Sequence, residues 1–184
     1  MRPLTIRAVS TLVLGVAAAT LATARPARAQ SSVTLTPFIG YYRTTDVKSP
    51  TTAGADLALY GGQLGIRASG AVPLSGPTDT KKSRGWDGDL DFVVRLADPS
   101  KFGVVLVPYA FAGFGGRNRP DDFQTQRWTP TRSFGGGAQI LLSRSLALSA
   151  EARLRSTRQL QPDGSRPWRM DGAPEVRVGF MLGH

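Results

Sequence analysis

In GWDGDLDFVVRLAD, residues 85–98, four aspartates (Asp87, Asp89, Asp91 and Asp98) stand at intervals that invite a calcium loop. Such a loop needs glycine at its sixth position for the sharp turn, and counting from Asp87 that position holds Phe92. The intervening residues alternate apolar and polar, so the carboxylates read as a row along one strand face and not as a metal cage. A Ser-His-acid hydrolase needs an imidazole gripped by an acid beside a serine; the one histidine here, His184, is the last residue of the sequence. With no cysteine, thiolate zinc sites and thiol nucleophiles are excluded. GFGGRN at 113–118 has the glycines of a phosphate loop but neither the following Lys-Ser/Thr nor a helix. The sequence points to no enzyme, no metal and no cofactor.

A second set of charges is more informative. Asp89, Asp91, Glu151 and Glu175 alternate with apolar neighbours in the same manner as Arg67, Arg95, Arg153, Arg155 and Arg177. If these side chains point to a common interior, they form an ion-pair network there.

Strands must position them. Segments of about ten residues repeat a two-residue period, the mark of a strand with two different faces. They are SVTLTPFIGYYR, DLALYGGQLGIRA, GAVPLSG, DLDFVVRL, GVVLVPYAFAGFG, RSFGGGAQILL, SLALSAEARLR and EVRVGFMLGH. In the second, Leu57 and Leu59 are out of phase with Leu64 and Ile66, which predicts a bulge at Gly61-Gly62 and a turn near Ser69-Gly70. The fifth is apolar or small on both faces, and its phase is not readable. Outside the N-terminus no segment shows a helical period. Short connections alternate with longer polar ones, the asymmetry of outer-membrane barrels. An even count of eight strands places both termini on the side from which an exported chain arrives.

The N-terminus supplies the export signal. MRPLTIR is followed by AVSTLVLGVAAATLA and then by TARPARA, with Ala27 and Ala29 at the cleavage spacing. A basic start, a short apolar run and a small-residue site make a secretory signal over 1–29, which predicts a mature domain over 30–184. The run is short for a permanent helical anchor. The whole chain carries +10, but four of its 23 Lys+Arg residues lie in the signal, which leaves 19 against 13 acidic residues. The remaining basicity is scattered arginine, and nucleic acid is not an expected partner. After Gln30 no apolar run is long enough for a spanning helix, so a membrane protein of this sequence spans as a closed barrel.

Which face points inward decides between two classes. A soluble barrel buries its apolar set; a membrane barrel turns that set to lipid and keeps polar residues in the lumen. The polar face here mixes charge with Gly135, Gly137, Gly179, Gly183, Ser133 and Ser149. Small residues suit a narrow lumen crowded by arginines better than a solvated wall. Aromatics at strand ends (Tyr41, Tyr42, Trp86, Tyr109, Phe134 and Phe180) fit interfacial girdles.

On these residues the chain resembles the small eight-stranded outer-membrane barrels, the OmpA-like transmembrane domain and its OmpX-like relatives. SVTLTPFIGYYR, VPYAFAGFGG and RVGFMLGH carry the likeness, which covers residues 31–184. It implies an all-β, eight-stranded antiparallel up-and-down transmembrane barrel in the bacterial outer membrane, and a monomer is the expected state. It also implies a C-terminal signal for the barrel-assembly machinery at Arg177, Gly179, Leu182 and His184, where the family usually ends in Phe or Trp. The peptidoglycan-binding domain that follows the barrel in full-length OmpA-like proteins has no counterpart here.

The expected outer loops are basic: Lys81, Lys82 and Arg84, then Arg117, Arg119 and Arg127, then Arg158, Arg166 and Arg169. Facing outward, they would meet outer-membrane lipid and the phosphates of lipopolysaccharide, to which arginine offers paired hydrogen bonds; generic solubility is the plainer account. The expected role is structural or surface-interacting, with a lumen filled by side chains. A narrow porin-like channel and a soluble periplasmic barrel for an apolar ligand remain open alternatives.

Overall fold

The structure, a computed structural model, describes residues 31–42, 51–74, 85–99, 105–120, 126–143, 145–158, 167–170 and 174–183. The signal segment, Lys81, Lys82, Arg84, Arg166 and His184 lie outside them. The elements are β1 (Ser31–Tyr42), β2 (Thr51–Gly61), β3 (Leu64–Pro73), β4 (Trp86–Arg95), β5 (Leu106–Pro120), β6 (Gln126–Leu141), β7 (Leu146–Arg158), β8 (Trp168–Met170) and β9 (Glu175–Leu182). Each strand pairs antiparallel with its neighbour, and β9 pairs with both β7 and β1, so the sheet closes on itself. Short β8 pairs with Ser156–Arg158 on the same edge of β7 that β9 occupies lower down. The ring therefore holds eight strand positions, as expected. Closure gives every ring strand a partner on each side, so no sheet edge is left open along the ring.

The two faces are inverted relative to a soluble barrel. Side chains of Val33, Leu35, Ile39, Leu57, Leu59, Ile66, Phe92, Val176, Val178 and Phe180 are exposed on the outer wall. Leu146, Leu148 and Leu154 stand on that same wall, in register with Leu182, with Ile140 and Phe180, and with Phe134. The soluble alternative required those leucines at the centre. What is buried inside is Asp56, Arg67, Asp89, Asp91, Arg153, Glu175 and Arg177.

The first hairpin corrects the sequence reading. There is no bulge at Gly61-Gly62 and no turn at Ser69-Gly70; β2 ends at Gly61, β3 starts at Leu64, and Ser69 and Gly70 lie in mid-strand opposite Asp56 and Ala55. A two-residue turn explains the phase change. Odd-numbered Leu59 pairs with even-numbered Ile66, so the outward residues switch parity on crossing it. Gly62 adopts φ +66°, the left-handed region that costs a side chain roughly 1–2 kcal/mol. Gly62→Ala is expected to lower stability by about that much, read as the shift in a urea-unfolding curve of the refolded protein.

Strands of the ring run from 8 to 16 residues, against the roughly 9–11 that cross a bilayer at a tilt. The β5–β6 hairpin overshoots the rest. β4 contributes pairing up to Trp86 with Asn118, and β7 up to Thr157 with Thr131, whereas β5 and β6 stay paired to Pro120 with Gln126.

Candidate functional site

The lumen is built by register. Direct cross-strand neighbours of opposite charge are Arg67 with Asp91, Asp87 with Arg117, Glu151 with Arg177, and Arg153 with Glu175. Such pairs favour one alignment over its slips. Beside several side chains that point into the lumen, the register partner on the adjacent strand is glycine. A Cβ at Gly113 or Gly115 would strike the carboxylate of Asp91 or Asp89, and one at Gly137 would meet Tyr109 Oη at 2.8 Å.

Arg153 is the hub, with 0% of its side chain exposed. Its Nη1 donates to Asp89 at 2.9 Å, its Nη2 to Asp91 at 2.6 Å and its Nε to Glu151 at 3.4 Å, while Ser133 Oγ lies 3.3 Å from Nη1. Arg67 donates to Asp91 at 2.8 Å and to Glu151 at 2.6 Å, and Asp56 lies 3.6 Å away. Nearer the end where the longer connections gather, Arg155 bridges Asp87, Asp89 and Glu175. Arg177 holds Glu175 at 3.0 Å and donates to Ser69 Oγ at 3.0 Å. Aromatic faces support the same cations. The Arg67 and Arg153 guanidinium carbons each lie 4.6 Å from the Phe111 ring centre, and that of Arg177 lies 4.3 Å from Phe38.

Arg95 stands apart from this cluster. It occupies the lumen near the short-turn end, its guanidinium 3.5 Å over the Tyr60 ring and 4.0 Å from Met181 Sδ. Around it Val93, Val107, Ala147 and Met181 are fully or almost fully buried, so an apolar floor lies beneath the charged layers. A cavity of about 20 Å³ lies between, lined by Thr34, Asp56, Gln139, Ser149, Glu151 and others. It has room for about one water molecule.

Several sequence assignments move. Tyr109 is not in a girdle: it is buried in the lumen and donates to Glu151 at 3.0 Å. Tyr41, Trp86 and Phe180 do face outward, and Trp86 packs on Trp128 with ring centres 5.1 Å apart. Arg117, Arg119 and Arg127 lie in β5 and β6, Arg158 ends β7 and Arg169 is in β8, so these are strand and not loop residues. Arg117 is a lumen-mouth residue, 3.0 Å from Asp87. Of the C-terminal set, Arg177 and Gly179 face inward and Leu182 outward; Gly179 leaves space for Phe38, its register partner. Sequence reasoning missed Asp56, Tyr109 and Phe111 as lumen residues. The phase of Asp56 becomes readable once the turn is put at Gly62-Gln63.

No family model matches the sequence, and no curated protein does. Solved structures of like shape exist. The N-terminal β-barrel domain of Pseudomonas aeruginosa OprF superposes with a TM-score of 0.60 at 17% identity, covering 85% of this chain and 99% of that one. Neisserial surface protein A gives 0.56 at 8% identity, covering 83% and 96%. The outer membrane protein OprG of P. aeruginosa gives 0.53 at 11% identity, covering 85% and 96%. At such identities the likeness speaks to architecture, and it agrees with the closed ring and inverted faces: the chain has the fold of the small eight-stranded outer-membrane barrels.

Proposed function

We propose that this chain is a non-enzymatic β-barrel of the bacterial outer membrane, a structural and surface-interacting element whose lumen is plugged by its own side chains. One observation carries the reading: exposed apolar side chains on the outer wall enclose a buried, mutually paired set of arginines and carboxylates. Water would leave that outer wall as an apolar surface far larger than soluble monomers expose, whereas hydrocarbon is its natural solvent. An interior of this size has room for side chains and little more, and the apolar floor around Val93, Val107 and Met181 argues against a conducting path. Export through the N-terminal segment, insertion by the barrel-assembly machinery through the last strand, and a monomeric state belong to the same reading. So does contact of Lys81, Lys82 and Arg84 with lipopolysaccharide phosphates.

Two measurements test it. Protein from purified outer membranes should migrate faster on a gel before boiling than after, because the closed ring resists detergent. Inserted in planar bilayers it should be silent. Discrete conductance steps would replace the plugged lumen by a channel, and recovery in the soluble fraction after carbonate extraction would remove the membrane altogether.

A further inference from the structure

Among the described ring residues the outer wall carries charge at one place, at Arg132 on β6 and Arg158 on β7. They are diagonal neighbours, since Arg132 pairs with Ser156 and Arg158 follows two residues on along the same face. Trp168 completes the group: it pairs with Arg158 across β7 and β8, and its ring lies 4.2 Å from the Arg132 guanidinium carbon.

All three tryptophans of the chain, Trp86, Trp128 and Trp168, gather at this end of the barrel on the outer wall. Tryptophan settles at the headgroup level of a bilayer. Two arginines beside it would sit among lipid phosphates and not among acyl chains, their stems lying along the wall and their heads reaching up. Among the described residues no carboxylate pairs with Arg132. Stacking on Trp168 uses the face of its guanidinium and leaves the N–H edge for an anion, and a planar fork matches phosphate oxygens two at a time.

We infer that Arg132, Arg158 and Trp168 form a binding site for the phosphate of an outer-leaflet lipid, specifically a glycolipid headgroup held against the wall. The inference rests on the outer-membrane reading above. It concerns the wall and not the loops, and it fixes where around the barrel that lipid sits. Ser156, whose hydroxyl donates to the Arg169 carbonyl at 3.0 Å, ties β8 to β7 and so holds Trp168 beside Arg132.

The test uses the full-length barrel folded in a neutral detergent, with Trp86→Phe and Trp128→Phe so that Trp168 alone reports. Titration with bisphosphorylated lipid A is expected to give a saturable change in its emission. Dephosphorylated lipid A should give none, and Arg132→Gln with Arg158→Gln should weaken the response by on the order of tenfold or more. Arg132→Lys keeps the charge but loses the fork and should fall between. An equal response to both lipid A forms, or an unchanged response in the double variant, overturns the site. Full competition by millimolar inorganic phosphate would overturn its assignment to a lipid. A chain that shifts on boiling yet fails these comparisons refutes the site alone; one that never inserts refutes the barrel reading and the site together.

Discussion

Arg153→Met should lower the folding stability of the barrel by about 3–5 kcal/mol, the cost of stranding buried charge when one partner of an ion pair is removed. Methionine fills much of the volume, so the loss is electrostatic more than steric. Asp89, Asp91 and Glu151 all direct an oxygen at this one guanidinium. Without it Asp91 retains Arg67 and Asp89 retains Arg155, but three carboxylates then crowd a space that water reaches poorly. The measurement is urea unfolding in phospholipid vesicles followed by tryptophan emission. Adding Asp91→Asn to Arg153→Met should recover a good part of the loss, because it removes one negative charge along with the lost positive one while Arg67 keeps Glu151. A single variant within 1 kcal/mol of wild type would show that the lumen is wet enough to solvate its charges.

The second large effect lies on the opposite face of the sheet. Val178 is 54% exposed in mid-strand on β9, paired with Ile39 on one side and Ala150 on the other. In water Val178→Arg would be an ordinary surface change, within about 0.5 kcal/mol. At the middle of a bilayer it should cost roughly 2–4 kcal/mol. The same substitution in the same assay therefore separates the two solvents directly. A cost near zero in vesicles would mean that this wall does not face hydrocarbon.

Alternation was the most legible feature of the sequence, and it sufficed for the strand count and for the orientation of SLALSAEARLR and EVRVGFMLGH. It failed where turn chemistry intervened. A tight turn at Gly62-Gln63 reverses parity as a bulge does, and only the pairing of Leu59 with Ile66 separates the two. The same misplacement hid Asp56, which looked like the start of a strand when it lies in the middle of one. In β5 the difficulty was different. Tyr109 and Phe111 are apolar yet face the lumen, because guanidinium groups need flat surfaces to lie on as well as carboxylates to meet. A strand with aromatic residues on its polar side offers no contrast from which a phase can be read. The Arg132–Trp168 contact joins residues on β6 and β8, a proximity set by the pairing of both strands with β7 and not by any spacing in the sequence.

The long β5–β6 ribbon has a consequence of its own. Beyond Thr131 its β6 rungs bond to β5 alone, so the segment from Gln126 to Pro130 adds nothing to the sealing of the cylinder. Mutation can therefore lengthen, trim or recolour this mast while the cylinder keeps its seal.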